Sequence, residues 1–248
     1  MKLDQKVAIV VGSTSGIGKG IAKEFAAEGA VVIITGRRVE NGEAVVKEIE
    51  AAGGKAAFMK LDAMDTDACR ALIDEVVEKY GKLDILAYNA GVANAFSVTD
   101  GTEKDWDMIF NTNIRSAFFM SQHALPYLEA TKGNIVYTAS IGGVSAKATL
   151  SNIAYGSTKA AIIQMMKILA LTVADKGIRV NAIAPGVTMT EMIEKADQSV
   201  IDRLKKAVPL QRIGTVQEMA KAAVYLASED ASFITGQALS LCGGMSIG

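Results

Sequence analysis

The sequence predicts a single doubly wound α/β domain over residues 1–248, with a parallel sheet of about seven strands and helices on both faces. Short, β-branched apolar runs alternate with longer helical stretches, which is typical of parallel strands joined by crossover helices. A length of 248 residues fits one open α/β domain, and no linker, internal repeat or low-complexity tract divides it. The predicted strands span residues 6–11, 30–35, 56–61, 83–88, 134–139, 178–184 and 237–241.

A glycine-rich turn follows the first predicted strand, and a helical pattern from Lys19 to Glu28 follows the turn. Glycines allow a tight turn and a close approach of the backbone to a diphosphate, and a helix N-terminus offers N–H groups and the positive end of its dipole. We therefore expect the turn to bind a dinucleotide, against the alternative of a glycine turn without a ligand. Its residues are Gly12, Ser13, Thr14, Ser15, Gly16, Ile17 and Gly18.

Tyr155 and Lys159 lie four residues apart at the start of a long apolar helical stretch, so they share one face of the helix. A fixed cation favours the phenolate, so we expect Lys159 to lower the pKa of Tyr155 and an oxidised nicotinamide to lower it further. Ser140 ends the predicted strand 134–139, at the sheet edge where α/β proteins carry out their chemistry, and can hydrogen-bond a substrate oxygen. The alternative for Tyr155 is a packing residue.

The charge balance is nearly neutral, with 26 Lys and Arg against 27 Asp and Glu and a net charge of −1. This balance argues against a nucleic-acid partner and against an anionic membrane surface. Cys69, Cys242 and His123 are too few and too far apart for a metal cluster or a histidine-based triad, so no metal is expected.

The first predicted strand begins almost at the N-terminus, and we expect no signal peptide before it. The most apolar helical stretch, Ala160 to Ala174, contains Gln164 and Lys167 and is expected to be too short to span a bilayer. A cytoplasmic protein with no membrane partner is the resulting expectation.

Taken together, these motifs resemble the short-chain dehydrogenase/reductase family over essentially the whole chain. The matching positions are Gly12-x-x-x-Gly16-x-Gly18, Asn89-Ala90-Gly91, Asn113, Ser140, Tyr155-x-x-x-Lys159 and Pro185-Gly186. The resemblance implies a Rossmann-type fold and an NAD(P)(H)-dependent oxidoreductase. It also implies that Tyr155 is the general acid/base, that Lys159 contacts the nicotinamide ribose, that Ser140 orients the carbonyl and that Asn113 supports a proton relay.

The resemblance also bears on the choice of cofactor. Gly36 stands where NAD-dependent members of the family place an aspartate, and Arg37 and Arg38 follow it. Arginine can bind a 2′-phosphate through charge-assisted hydrogen bonds. We therefore expect NADP(H) to be preferred, with NAD(H) use and a pair of solvated surface arginines as the alternatives.

Further cofactor contacts are implied at the ends of the later strands. Asp62 is equally consistent with a strand-end turn, and Thr188 and Thr190 with helix caps. The implied contacts are Asp62, Ala63, Asn89, Ala90, Gly91, Pro185, Gly186, Thr188 and Thr190.

The substrate is expected to be a small-molecule alcohol or ketone, held under a lid formed by residues 189–208. The lid offers Met189, Met192 and Ile193, which equally suit packing onto the body of the protein. Other loops place Val92, Phe96, Val144 and Leu150 at the mouth of the site. An apolar mouth favours a bulky substrate such as a hydroxysteroid or a bile acid.

Two other functions stay open. A 3-oxoacyl-(acyl-carrier-protein) reductase is the nearest alternative, although this chain has Asn134 and Leu171 where such enzymes tend to present arginines to their acidic carrier. A dinucleotide sensor or scaffold without catalysis is the alternative of another class.

The predicted helices 103–125 and 155–175 are apolar around much of their circumference, through Phe118, Phe119, Ile162, Met165, Met166 and Leu169. Since such helices join subunits in this family, we expect a homotetramer, with a dimer or an entirely internal core as alternatives.

Three positions depart from the family pattern, namely Val11, Tyr88 and Cys242. Tyr88 replaces the first asparagine of an Asn-Asn-Ala-Gly turn. None of the three is expected to touch the chemistry directly.

Overall fold

A seven-stranded parallel sheet forms the centre of the protein in a computed structural model that describes residues 1–93, 96–146 and 152–247. The strands are ordered β3-β2-β1-β4-β5-β6-β9, and each predicted strand is found within two residues of its predicted ends. A separate parallel pair joins β7 to β8. The strands are β1 (Val7–Val11), β2 (Val31–Gly36), β3 (Lys55–Lys60), β4 (Ile85–Tyr88), β5 (Asn134–Thr138), β6 (Arg179–Pro185), β7 (Thr188–Met189), β8 (Gly214–Thr215) and β9 (Ala238–Leu241).

Helices connect the strands and cover both faces of the sheet, as expected for a doubly wound fold. They are α1 (Gly16–Ala27), α2 (Val39–Ala51), α3 (Thr66–Tyr80), α4 (Glu103–Phe110), α5 (Ser116–Thr131), α6 (Ile153–Val173), α7 (Glu191–Glu194), α8 (Gln198–Ala207) and α9 (Val216–Ala227). A π-helical turn, Asn111–Arg115, joins α4 to α5. The predicted end of this stretch at residue 125 is wrong, because α5 continues past Pro126 and buries Leu128 in its last turns.

The apolar core has two halves, one on each face of the sheet. Ile9 and Val11 of β1 pack with residues of α3, α5 and α6, whereas Ala8 and Val10 pack with residues of α1, α2 and α9. Side chains of a strand alternate between faces, so a strand covered on both faces is apolar at every position. This explains why β1 is a continuous apolar run.

Helix α6 begins two residues before the predicted helix 155–175 and contains most of its most apolar stretch, Ala160 to Ala174. With the short 3₁₀ turn after it, the helix covers Ile153–Lys176, 24 residues that contain an 18-residue window with a mean hydropathy of 1.3, which is long and apolar enough to cross a membrane. The expectation that the apolar stretch is too short is therefore wrong by length and composition, because the helix extends beyond Ala160 to Ala174 at both ends. Such a helix is weak evidence of a span, since the core helix of a globular domain has the same properties, and Ile162 and Met166 pack here against the sheet.

The sheet reverses its winding between β1 and β4, and this reversal positions the candidate site. The chain leaves β1 for α1 on one face of the sheet, and it leaves β4 for the helices on the other face. The two C-terminal ends therefore diverge and leave a crevice between them, which is where open α/β sheets bind ligands.

Candidate active site

The glycine turn after β1 packs directly against the turn after β4. Gly12 has a φ of +74°, and a Cβ built on it would lie 2.8 Å from the Cα of Ala90. A Cβ on Gly18 would lie 2.2 Å from the carbonyl oxygen of Gly12, to which the Asn89 Nδ2 donates a hydrogen bond of 2.9 Å. Side chains at either glycine would force these two turns apart, so the crevice depends on both.

A groove of about 410 Å³ runs along the crevice. Ser15, the N-cap residue of α1, makes no side-chain cap hydrogen bond, so its side chain leaves the N–H groups of the first turn to a ligand. A close backbone approach, a helix N-terminus and two arginines fit the diphosphate and ribose of a dinucleotide. The predicted residues that line the groove are Gly12, Thr14, Ser15, Arg37, Arg38, Asp62, Ala63, Asn89, Ala90 and Gly91.

The structure places some predicted contacts elsewhere. The Ser13 hydroxyl is buried between β1 and β2, where it donates to the Val10 carbonyl (2.7 Å) and accepts from the Thr35 N–H (3.0 Å). The hydroxyl thus completes the pairing of two strands, and the predicted cofactor contact of Ser13 stays a prediction that its backbone would have to make. Ile17 likewise packs against the core on its side of the sheet.

Some of the contacts predicted at the ends of the later strands stabilise loops, and others lie near the glycine turn or in the groove. The Thr188 hydroxyl donates to the Gly186 carbonyl (3.1 Å) in the turn that begins after Pro185. Thr190 faces the glycine turn, because a Cβ on Gly16 would lie 3.8 Å from its Cγ2. The Asp62 Oδ1 accepts a hydrogen bond from the Met64 N–H (3.1 Å), as expected for a residue in a turn at the end of a strand. Asp62 also lines the groove, as expected for a cofactor contact.

Tyr155 sits in the first turn of α6, half-buried beside Ser140. Asn152 caps the helix by accepting a hydrogen bond from the Tyr155 N–H (3.2 Å). The Tyr155 side chain is hydrogen-bonded to the Ser140 side chain, whose Oγ also accepts from the Gly142 N–H (3.1 Å). The structure thus brings the predicted acid/base and the predicted carbonyl-binding hydroxyl together.

Gly143 allows the turn after Ser140 to touch the backbone of α6. A Cβ on Gly143 would lie 2.4 Å from the Lys159 carbonyl carbon and 2.6 Å from the Ala160 nitrogen. Backbone atoms inside a helix cannot move aside, so a side chain here would push the Ser140 turn away from Tyr155. The sequence interpretation missed both Gly143 and the cap Asn152, although an asparagine before an apolar helical run is a recognised N-cap signal.

Lys159 is buried, and its ammonium donates to the Thr138 carbonyl (2.8 Å) at the end of β5. Its Nζ lies 5.6 Å from the centre of the Tyr155 ring. Burial lowers the pKa of Lys159 to about 8. Burial also raises the pKa of Tyr155, an effect that the Ser140 hydrogen bond partly offsets.

The pKa of Tyr155 in the protein alone is therefore raised, and the expectation of a lowered value is wrong there. Removal from water penalises the ammonium and the phenolate alike, and for Tyr155 this penalty is the largest effect. A lowered phenol pKa requires a further positive charge at the site.

Asn113 is buried in the π-helical turn and ties the loop after β4 to α6. Its Oδ1 accepts from the Val92 N–H (2.8 Å), and its Nδ2 donates to the Val92 carbonyl (2.9 Å) and to the Thr158 Oγ1 (3.0 Å). Both amide hydrogens are engaged, so the visible contribution of this side chain is to hold the loop in place. A role in proton relay stays a prediction.

Comparison with known proteins agrees with this geometry. A family model described as enoyl-(acyl carrier protein) reductase matches residues 11–246. The chain is 36% identical over all of its length to a 3-oxoacyl-(acyl-carrier-protein) reductase of Thermotoga maritima, with all of that protein covered. The chain belongs to the short-chain dehydrogenase/reductase family. It is an NAD(P)-dependent oxidoreductase that acts on CH–OH groups.

Other members of the short-chain dehydrogenase/reductase family are similar to a comparable degree. A 3β-hydroxysteroid dehydrogenase of Mediterraneibacter gnavus is 35% identical, covering 98% of this chain and 95% of its own. A solved double phenylalanine-to-tyrosine variant of a Serratia marcescens family member is 33% identical, with a TM-score of 0.93 over 99% of this chain and 100% of its own. These findings confirm the family and the fold.

The lowered pKa of Lys159 makes stability depend on pH. In an unfolded chain a lysine titrates near about 10.4, so between pH 8 and pH 10 the unfolded chain binds more protons than the folded protein. Burial of the charge therefore lowers the free energy of unfolding by its full amount below pH 8, and this loss diminishes as the pH rises. We expect Lys159→Met to raise the free energy of unfolding of the cofactor-free protein at pH 7 by about 1–3 kcal/mol, and less at pH 10.

Urea unfolding at both pH values measures this difference. Lys167→Met is the matched control, because Lys167 is exposed on the same helix and its replacement should give no such pH-dependent gain. A gain for Lys159→Met that is equal at both pH values would contradict the cause assigned to the shift.

Proposed function

We propose that the protein is an NADP(H)-preferring oxidoreductase that interconverts a secondary alcohol and a ketone, with a bulky apolar substrate such as a hydroxysteroid or bile acid. The observation that carries the reaction is the Tyr155 phenol, hydrogen-bonded to Ser140 and one helical turn from the buried Lys159. These three groups lie at the C-terminal edge of the sheet, beside the groove for a dinucleotide.

During ketone reduction, Tyr155 donates its proton to the substrate oxygen, and Ser140 hydrogen-bonds the same oxygen as negative charge develops there. A bound nicotinamide supplies the hydride. Lys159 is placed to donate to the ribose hydroxyls, and its ammonium stabilises the phenolate left on Tyr155. The reverse reaction uses the same groups, with Tyr155 as the base.

The preference for NADP(H) rests on the end of β2. A Cβ on Gly36 would lie 2.6 Å from the Thr14 Cγ2, so an aspartate at position 36 does not fit unless Thr14 moves. The Arg38 guanidinium reaches to 3.4 Å from the Ser15 Oγ, and both Arg37 and Arg38 line the groove. Two guanidinium groups beside a hydroxyl suit a 2′-phosphate.

The apolar substrate is supported by exposed side chains around the site. Val144, Ile153 and Met192 are exposed although they are large and apolar. Phe96, which we predicted at the mouth, packs against Gly101 and lines a pocket together with Ile153 and Trp106. Leu150, predicted there too, lies outside the described residues. A small apolar surface of this kind favours a substrate that is itself apolar.

A 3-oxoacyl-(acyl-carrier-protein) reductase is the second candidate, because the relative from Thermotoga maritima carries that name. The structure offers no support at the two positions where an arginine was sought. Asn134 is buried and its Nδ2 donates to the Ala227 carbonyl (3.0 Å), and Leu171 is apolar and exposed. Relatives at similar identity are named for this activity and for steroid dehydrogenation. The choice between the two candidate functions therefore has to come from measured enzymatic activity.

We also propose a homotetramer, with a dimer as the alternative. An apolar groove of about 860 Å³ lies between α5 and α6, and Phe118, Ile168 and Leu171 are 47%, 57% and 83% exposed near it. A surface this apolar is typical of contacts between subunits. Ile162 and Met166 belong instead to the internal core, as the alternative interpretation expected.

Tyr155→Phe tests the reaction. We expect cofactor binding to stay within about threefold and turnover to fall by a factor of at least about 10², because the ring remains while the proton donor is lost. Rates of NADP⁺ and NAD⁺ reduction would be measured for both proteins with hydroxysteroids, bile acids, polyols and 3-hydroxyacyl thioesters.

Each outcome of that panel selects one candidate. Tyr155-dependent turnover of hydroxysteroids or bile acids supports the main proposal, and turnover confined to 3-hydroxyacyl thioesters supports the second candidate. Equal turnover by the Tyr155→Phe protein would remove Tyr155 from the mechanism. Cofactor binding without turnover on any class would favour a sensor.

Arg37→Ala combined with Arg38→Ala tests the cofactor preference. We expect the KM for NADP⁺ to rise by about 10- to 100-fold and that for NAD⁺ to change little, because only the former carries the 2′-phosphate. Steady-state kinetics measure both values. Arg70→Ala, an exposed arginine on α3 outside the groove, is the control. An equal rise for both cofactors would contradict the proposal.

Ile168→Glu combined with Leu171→Glu tests the assembly. We expect light scattering after size exclusion to show the mass of four chains for the wild type and a smaller assembly for the variant, since buried like charges oppose association. Val98→Glu, an exposed apolar position outside both helices, should keep the wild-type mass. A monomeric wild type would overturn the proposal, and a two-chain mass would select the dimer.

A further inference from the structure

Tyr88 departs from the family pattern, and the structure shows a use for its hydroxyl group. Tyr88 ends β4, is only 2% exposed, and directly precedes Asn89 of the groove. Its phenol oxygen lies 2.5 Å from the Ser116 Oγ and 3.2 Å from the Thr112 carbonyl oxygen. The hydroxyl therefore reaches across the core to the junction of α4 and α5.

That junction is the π-helical turn Asn111–Arg115. Turns of this kind are rare and occur often at functional sites. Ser116 donates to the carbonyl of Thr112, four residues earlier, at 2.5 Å. A serine hydroxyl that bonds back in this way competes with the helix's own hydrogen bonds and bends the helix. Because Ser116 donates to Thr112, the hydrogen of the Tyr88 phenol is available to the Ser116 Oγ, so the two hydroxyls stabilise the wide turn together.

The wide turn positions Asn113, the next residue after Thr112. Asn113 holds both the N–H and the carbonyl of Val92 and donates to the Thr158 Oγ1. Thr158 in turn donates to the backbone carbonyl of Tyr155 (2.8 Å). Two sets of hydrogen bonds, joined by the peptide bond between Thr112 and Asn113, thus connect the core phenol of Tyr88 to the helical turn that carries Tyr155.

We propose that Tyr88 is a positioning residue, whose hydroxyl fixes the π-helical turn and thereby holds Asn113 between Val92 and Thr158. Its effect on turnover rests on the proposed function, because it acts through Tyr155. Its effect on the Val92 loop does not depend on any reaction. This indirect role is consistent with the expectation that Tyr88 does not touch the chemistry directly.

Tyr137 supplies a matched control for a purely structural role. It is the direct neighbour of Tyr88 in the register of β4 and β5, is fully buried, and its phenol oxygen lies 2.5 Å from the Ser121 Oγ. Ser121 also bonds back to a carbonyl four residues earlier, that of Ala117 (2.7 Å). Both phenols are raised in pKa by burial. Only Tyr88 contacts the π-helical turn.

The experiment compares Tyr88→Phe with Tyr137→Phe, each of which removes one buried hydroxyl and keeps the ring. Hydrogen exchange of the Val92 N–H, followed by NMR on the full-length protein, reports on the Asn113 contact. We expect exchange to accelerate about tenfold or more in Tyr88→Phe and to stay at the wild-type rate in Tyr137→Phe. Turnover should fall about tenfold or more in Tyr88→Phe alone, with the KM for the cofactor unchanged.

Ser116→Ala provides a second variant at the same contact and should accelerate Val92 exchange in the same way, even if Tyr88→Phe does not fold. Wild-type exchange at Val92 in Tyr88→Phe and Ser116→Ala would overturn the proposal. Equal changes in Tyr88→Phe and Tyr137→Phe would also overturn it, since they would indicate a general loss of stability. If Tyr155→Phe retains turnover, the proposed function fails while the exchange result still decides the role of Tyr88.

Discussion

The burial of the Lys159 ammonium against the Thr138 carbonyl is the interaction on which the site depends. A charged group removed from water needs fixed partners, so α6 must lie closely over the end of β5. The neighbouring turns make room for this contact. A Cβ on Gly91 would lie 3.4 Å from the Lys159 Nζ, and Gly143 touches the helix backbone at Lys159 itself. The same close approach brings Ser140 to Tyr155.

This arrangement sets the electrostatics of the protein before any ligand binds. Burial disfavours both the ammonium of Lys159 and the phenolate of Tyr155. It therefore lowers the pKa of Lys159 and raises the pKa of Tyr155, which favours the uncharged form of each group. Such a pair responds strongly to one added charge, because the interior screens charge poorly. Under the proposed function, proton transfer at Tyr155 is thereby coupled to the charge that the cofactor carries.

The reaction and the substrate are determined by different parts of the molecule. The sheet edge, α6 and the π-helical turn hold Asn113, Ser140, Tyr155 and Lys159 through buried backbone contacts that leave little freedom. The substrate meets loops, where side chains vary without disturbing the sheet. Relatives about equally similar to this chain are named for acyl-carrier, steroid and butanediol substrates, in accordance with this division.

The sequence by itself determined the order of strands and helices, the glycine turn, the catalytic motif and the family, because local periodicity and short motifs encode these features directly. Only the tertiary structure decided that Ser13 faces the core, that burial raises the pKa of Tyr155, and that Tyr88 reaches the π-helical turn. Each depends on burial or on a contact between residues distant in sequence, such as the 28 residues between Tyr88 and Ser116. Desolvation and hydrogen-bond partners are properties of the packed protein, and no local pattern of residues specifies them.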